Sequence, residues 1–128
     1  MTDETPNRPF SFSARIRSFS FAFNGIAIML RSQQNAWIHA IATVAVVIAG
    51  VLLGLSGPEW CWLVLAIAAV WTAEAFNTAL ELLTDLVSPE LHPVAGKVKD
   101  VAAGAVLIAA TGAALIGLLI LGPHLRTI

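Results

Sequence analysis

Four polar side chains interrupt an otherwise apolar stretch: Glu74, Asn77, Glu81 and Asp85. On a helix turning 100° per residue they fall at about 0°, 300°, 340° and 20°, inside an arc of about 80°. Thr78 and Ser88 lie close to the same side, and Phe76, Leu80, Leu83 and Val87 form the opposite one. A carboxylate near the centre of a membrane costs roughly 2.5–3.5 kcal/mol on insertion scales, so three of them on one face need a reason. One reason is plain wetting at a helix end, which suits Asp85. Another is a buried, protonated carboxyl bonded to a neighbour, which suits Glu74. The third is chemistry. Carboxylates at i and i+7 flanking an asparagine can hold Mg²⁺ through oxygen, and a deep carboxylate is a candidate general base.

A second cluster, Lys97-Val98-Lys99-Asp100, precedes another apolar run. Asp100 is placed to cap the helix that follows, and the lysines can serve simply as cytoplasmic anchors. Basic residues, a helix N-terminus and carboxylates on one side of a membrane are also what a nucleoside triphosphate needs. Mg²⁺ on such carboxylates would offset charge in phosphoryl transfer. Carboxylates that reach into lipid point to a lipid hydroxyl as the acceptor.

The elements that must position these groups follow from composition. The chain has 128 residues, 58% hydrophobic and 12% charged, with a net charge of −1. So small a chain cannot hide that much apolar surface in one core, and the expectation is an all-α membrane protein of one domain, residues 1–128. The charge balance gives no basic field for nucleic acid. A single cysteine, Cys61, excludes an intrachain disulfide and a cysteine-rich metal site. Three apolar runs reach the ~20 residues that a ~30 Å hydrocarbon core requires, and they predict transmembrane helices over 36–55, 59–87 and 100–122. Ser56-Gly57-Pro58-Glu59 reads as a tight turn, Ser88-Pro89 as a helix end, Pro89 to about Lys97 as a loop, and Gly122-Pro123 as a closing signal.

Residues 10–34 are of another kind. Phe10, Phe12, Ile16, Phe19, Phe23, Ile26 and Leu30 recur at spacings of 2 to 4, with Arg15, Arg17 and Arg31 between them. The pattern predicts an amphipathic helix lying in the interface, preceded by a disordered tail over 1–9. Arg8, Arg15, Arg17 and Arg31 precede the first span, Lys97 and Lys99 lie in the second loop, and Arg126 is alone at the tail. The inner membrane is then the location, with the N-terminus cytoplasmic and the C-terminus outside.

The run Ala73-Glu74-Ala75-Phe76-Asn77-Thr78-Ala79-Leu80-Glu81 resembles the E-x-x-N-[ST]-A-[IL]-E signature of the small prokaryotic diacylglycerol kinase and undecaprenol kinase family. Asp85, Glu90, His92 and Lys99-Asp100 follow at matching spacing. Asn24-Gly25 and Asn35 with Ile38-His39 resemble the undecaprenol kinase branch more closely. The resemblance implies a surface helix, three transmembrane helices and a homotrimer with active sites at subunit borders, phosphorylating a lipid alcohol with ATP and Mg²⁺. It assigns Glu74 as general base, Asn77 to the phosphate network and Glu81 to metal. Glu90, His92, Lys99 and Asp100 would contact the nucleotide, with Arg15 or Arg17 on phosphate. The family's second metal-binding Glu is replaced here by Gln33, an amide oxygen without charge. Two rival readings stand beside this one: a small proton-coupled transporter built on Glu74, and a family member weakened by Gln33.

Overall fold

The computed structural model describes residues 8–128. Residues 1–7, most of the expected tail, lie outside the described residues. Among the described residues all four elements are helices: α1 (Phe12–Ser32), α2 (Gln34–Leu53), α3 (Gly57–Val87) and α4 (Pro93–Leu125). The last three are long and apolar enough to cross a membrane. At 1.5 Å per residue, α2 spans about 30 Å, and α3 and α4 about 46 and 50 Å, so the two longer helices must project beyond the hydrocarbon.

The helix ends have local causes. Ser11 caps α1, its side chain accepting from the Ala14 N–H at 3.3 Å. Gln33 is extended (φ −120°, ψ 117°) and alone separates α1 from α2. α2 closes on Gly54, whose φ of +67° lies in the left-handed region that glycine enters without a Cβ penalty. Ser56 and Glu59 then form a reciprocal capping box, so Gly57 and Pro58 belong to the first turn of α3 and not to a separate turn. α4 begins at Pro93, not at Asp100. His92 is its cap, accepting from the Val94 N–H through Nδ1 at 3.1 Å. A proline at the first helical position loses no hydrogen bond and arrives with its φ already set, so the Pro93 that reads as a loop signal starts a helix. Asp100 therefore lies within the helix and caps nothing. Gly122-Pro123 does not close α4 either, because a proline in the last turn removes one bond from a helix that ends at Leu125 anyway.

α3 and α4 form the principal packed pair, with α2 against both and α1 touching α2 and α3. The buried face of α3 runs through Leu63, Ala66, Val70, Glu74, Asn77 and Thr78. From Leu63 to Asn77 it is one continuous stripe at 3–4-residue spacing, widened at its end by Thr78, that changes from apolar to polar at its midpoint. α4 covers it with Ala102 and Val106. At the apolar end, His124 Nε2 meets Glu59 at 3.0 Å and ties the start of α3 to the end of α4. The outward faces of α2, α3 and α4 carry exposed Ile, Val, Leu and Trp side chains, a surface that lipid solvates and water does not.

Candidate active site

The polar half of the α3 stripe opens on a cleft of about 260 Å³ lined by the α1–α2 break, α2, α3 and α4. Gln33 comes from the α1–α2 break, Asn35 and His39 from α2, Glu74, Asn77 and Glu81 from α3, and Ala103 and Val106 from α4. Alanine on α4 lets that helix approach without filling the space.

Glu74 is fully buried, with 0% of its surface exposed. Neither of its carboxylate oxygens accepts a hydrogen bond, and buried Asn77 Oδ1 likewise has no protein donor. Three buried acceptor atoms without donors form a set that suits a hydroxyl proton, water or a hard cation. Across from the carboxylate stands His39, whose Nε2 is 3.5 Å from Glu74 Oε2, beyond an ordinary hydrogen bond. Thr78 returns its hydroxyl proton to the Glu74 carbonyl at 2.9 Å, so it serves the helix backbone and leaves the carboxylate alone.

Glu81, about two turns further along, is held by two amides. Gln33 Nε2 donates to Oε2 at 2.5 Å, and Asn77 Nδ2 donates to Oε1 at 3.4 Å. Gln33 thus meets Glu81 as a donor, where a second carboxylate would demand a cation between the two. Among the described residues, no three His, Cys, Asp or Glu side chains converge as a ready cage. The oxygens that fit Mg²⁺ are those of Glu81, with the Gln33 amide beside them: hard donors, few in number and able to reorient, which suits an ion that keeps most of its water.

Asp85 continues the stripe out of the cleft and binds Lys99 Nζ at 2.6 Å. That contact joins the acidic ridge of α3 to the basic start of α4. Both partners are largely open, at 41% and 63% exposure, so the pair marks a wet rim. Glu90 and His92 are exposed in the α3–α4 connection, and Asp100 is exposed two turns into α4. Ser88 donates its hydroxyl to the Glu90 carbonyl at 3.1 Å. His92 has spent Nδ1 on the helix cap, which leaves Nε2 as its outward atom. Arg15 and Arg17 are exposed near the start of α1, some 24–27 Å of helical rise from Gln33, and the single chain does not bring them to the cleft.

In the sequence His39 enters only through the family resemblance of Asn35 with Ile38-His39, and Thr43 and Trp71 carry no assigned role. Their signal was present: polar residues four apart share one face of a helix that is otherwise lipid-soluble. Trp71 Nε1 donates to Thr43 Oγ1 at 3.0 Å, a polar bond between two spanning helices.

The sequence model of the prokaryotic diacylglycerol kinase family matches residues 20–121, the region that holds the cleft. The chain is 42% identical over 109 residues to undecaprenol kinase of Bacillus subtilis (strain 168), covering 85% of this chain and 89% of that protein. It is 39% identical over 112 residues to diacylglycerol kinase of Synechocystis sp., covering 87% of this chain and 64% of that protein. With diacylglycerol kinase of Escherichia coli (strain K12) it shares 27% over 125 residues, which cover 92% and 97% of the two chains. A match over most of the length, on a chain of three spanning helices with a buried carboxylate at their junction, means that this protein belongs to the prokaryotic diacylglycerol kinase family of lipid kinases.

Proposed function

We propose that the chain transfers the γ-phosphoryl group of ATP to the hydroxyl of a membrane lipid alcohol, of the undecaprenol or 1,2-diacylglycerol type, at the cytoplasmic rim of the inner membrane. The observation that carries this reading is the Glu74 carboxylate, buried and without a protein donor on either oxygen, facing the cleft that Glu81 and Asn77 also line. Undecaprenol as the acceptor is favoured by the 42% identity to the undecaprenol kinase.

Glu74 accepts the hydroxyl proton as the lipid oxygen bonds to phosphorus. The bond from phosphorus to the bridging oxygen breaks, and its electron pair leaves with ADP. A lipid alcohol can bring its hydroxyl to this depth because its chains remain in hydrocarbon. Counting ~20 residues of span from Trp60 puts the opposite rim near Leu80, so Glu74 lies about two turns inside it. Glu81 and the Gln33 amide would hold Mg²⁺, which when bound offsets the charge on the phosphates. Asn77 Oδ1, an acceptor, takes a hydrogen bond from a water of the phosphate network at the cleft floor. Lys99 releases Asp85 to meet phosphate, and Asp100, Glu90 and His92 contact the rest of the nucleotide. Arg15 or Arg17 of a neighbouring subunit closes on the phosphates. That arrangement needs an oligomer, for which the family resemblance gives a homotrimer, with α1 lying in the cytoplasmic interface.

The test is purified protein in bilayers with γ-labelled ATP and Mg²⁺, offered undecaprenol and 1,2-diacylglycerol separately. Label in a lipid phosphate supports the reading. Absence of label from every lipid alcohol, in bilayers where a related kinase works, overturns it.

A further inference from the structure

Glu74 faces the imidazole of His39, and that ring is braced. The His39 ring is 16% exposed, with Nε2 at 3.5 Å from Glu74 Oε2. One turn along α2, Thr43 donates its hydroxyl to the His39 carbonyl at 2.7 Å and accepts from Trp71 Nε1 at 3.0 Å. Trp71 lies one turn before Glu74 on α3, and its ring meets the imidazole edge-on, with centroids 6.4 Å apart and planes at 71°. Two cross-helix rungs, His39–Glu74 and Thr43–Trp71, therefore stand a single turn apart on antiparallel helices. A threonine bonded back to its own helix is common in membrane spans and does not need a partner. The indole N–H reaching across to it sets the register that puts the imidazole opposite the carboxylate.

We infer that His39 is the positioning residue for Glu74. Its Nε2–H donates to Glu74 Oε2 as the lipid hydroxyl enters, fixes the carboxylate plane, and leaves Oε1 to receive the proton. The inference rests on the proposed role of Glu74 as base and adds the group that aims it. Contacts of this kind are long in free enzymes and shorten when the acceptor is bound. In the transfer step, one proton passes from the lipid hydroxyl to Glu74 Oε1, one O–P bond forms and the O–P bond to ADP breaks, and His39 keeps its Nε2 proton throughout. No charged group of α4 competes for Glu74 in the cleft, since that helix offers Ala103, Val106, Leu107 and Ala110 there.

The test uses the full chain in bilayers, with kcat and KM measured for the wild type and for His39→Ala, His39→Asn and His39→Gln. A glutamine amide nitrogen falls near the place of Nε2, and an asparagine amide nitrogen near that of Nδ1. His39→Ala and His39→Asn should lower kcat roughly 10- to 100-fold with both KM values unchanged, the scale expected of a misaimed reacting group. His39→Gln should recover most of the rate. In a Glu74→Gln background, His39→Ala should cost nothing further, because the two act as a unit. An unchanged kcat in His39→Ala overturns the inference. So does an equal loss in the asparagine and glutamine variants, which decides the matter even if the alanine variant does not fold. A wild type that binds ATP but phosphorylates no lipid removes the proposed function itself, an outcome separate from either of these.

Discussion

Gln33 and Glu81 stand 48 positions apart in the chain and meet through a 2.5 Å hydrogen bond, with the amide nitrogen donating to Glu81 Oε2. It is the outermost of three polar rungs between antiparallel segments, followed inward by His39–Glu74 and Thr43–Trp71. From Gln33 to Thr43 the chain advances ten residues and from Glu81 to Trp71 it steps back ten, so one helix register serves all three. In the proposed site the outer rung decides how the cleft would treat a cation. An amide satisfies Glu81 without metal, whereas a carboxylate at the same place would repel Glu81 until a cation arrived.

Gln33→Glu should therefore strengthen Mg²⁺ binding. The Mg²⁺ concentration for half-maximal phosphorylation should fall about tenfold, since oxygen sites tune affinity by the charge of their ligands. Without activity as a readout, Mg²⁺ should raise the melting temperature of this variant more than that of the wild type, by preferential binding to the folded state. An equal or higher Mg²⁺ requirement, with no added thermal effect, would remove Gln33 from the metal site.

The Lys99–Asp85 pair makes a different prediction. Both side chains are largely exposed, so their ion pair adds little to folding. Lys99→Ala should leave the melting temperature in place and raise the KM for ATP, with Lys99→Arg restoring part of the affinity. Asp85→Asn frees the ammonium and should hold the KM for ATP at or below the wild-type value. A large thermal loss in Lys99→Ala without a change in KM would make the pair structural.

Packing at the far end of α2 is tight enough to predict a stability loss. A Cβ on Gly50 would stand 2.7 Å from Trp60 Cη2 and 2.9 Å from Cζ2, closer than carbon atoms approach. The indole is rigid and must swing away as a whole. Gly50→Ala should cost about 1–3 kcal/mol, the range for overfilled sites. The penalty should shrink in a Trp60→Leu background. Thermal unfolding in detergent reads both, and an additive double variant would contradict the contact.

Much of this geometry was legible in the chain, for identifiable reasons. Glu74, Asn77 and Glu81 share a helical face by arithmetic alone, and cost in lipid singled them out. Three spans followed from apolar length. The start of α4 did not follow, because Pro93 has the same appearance in a loop and at the first position of a helix, and only the His92 cap tells them apart. The pairing of His39 with Glu74 escaped because a lone histidine in an apolar run is as often filler as function. Its meaning lies in Glu74, which no local pattern connects to it. The Gln33 contact was invisible for the same reason: spacing says which residues share a helix face, and register between helices is settled by rungs such as Trp71–Thr43.

The most direct measurement is the turnover of Glu74→Gln against wild type in the same bilayers, with folding followed by thermal unfolding. The amide keeps the shape of the side chain and cannot take a proton. Loss of about 10²- to 10⁴-fold in kcat, the usual contribution of a positioned base, with an unchanged unfolding curve is the predicted result. A Glu74→Gln protein that phosphorylates lipid alcohol at the wild-type rate would contradict the assignment of this buried carboxylate as the base.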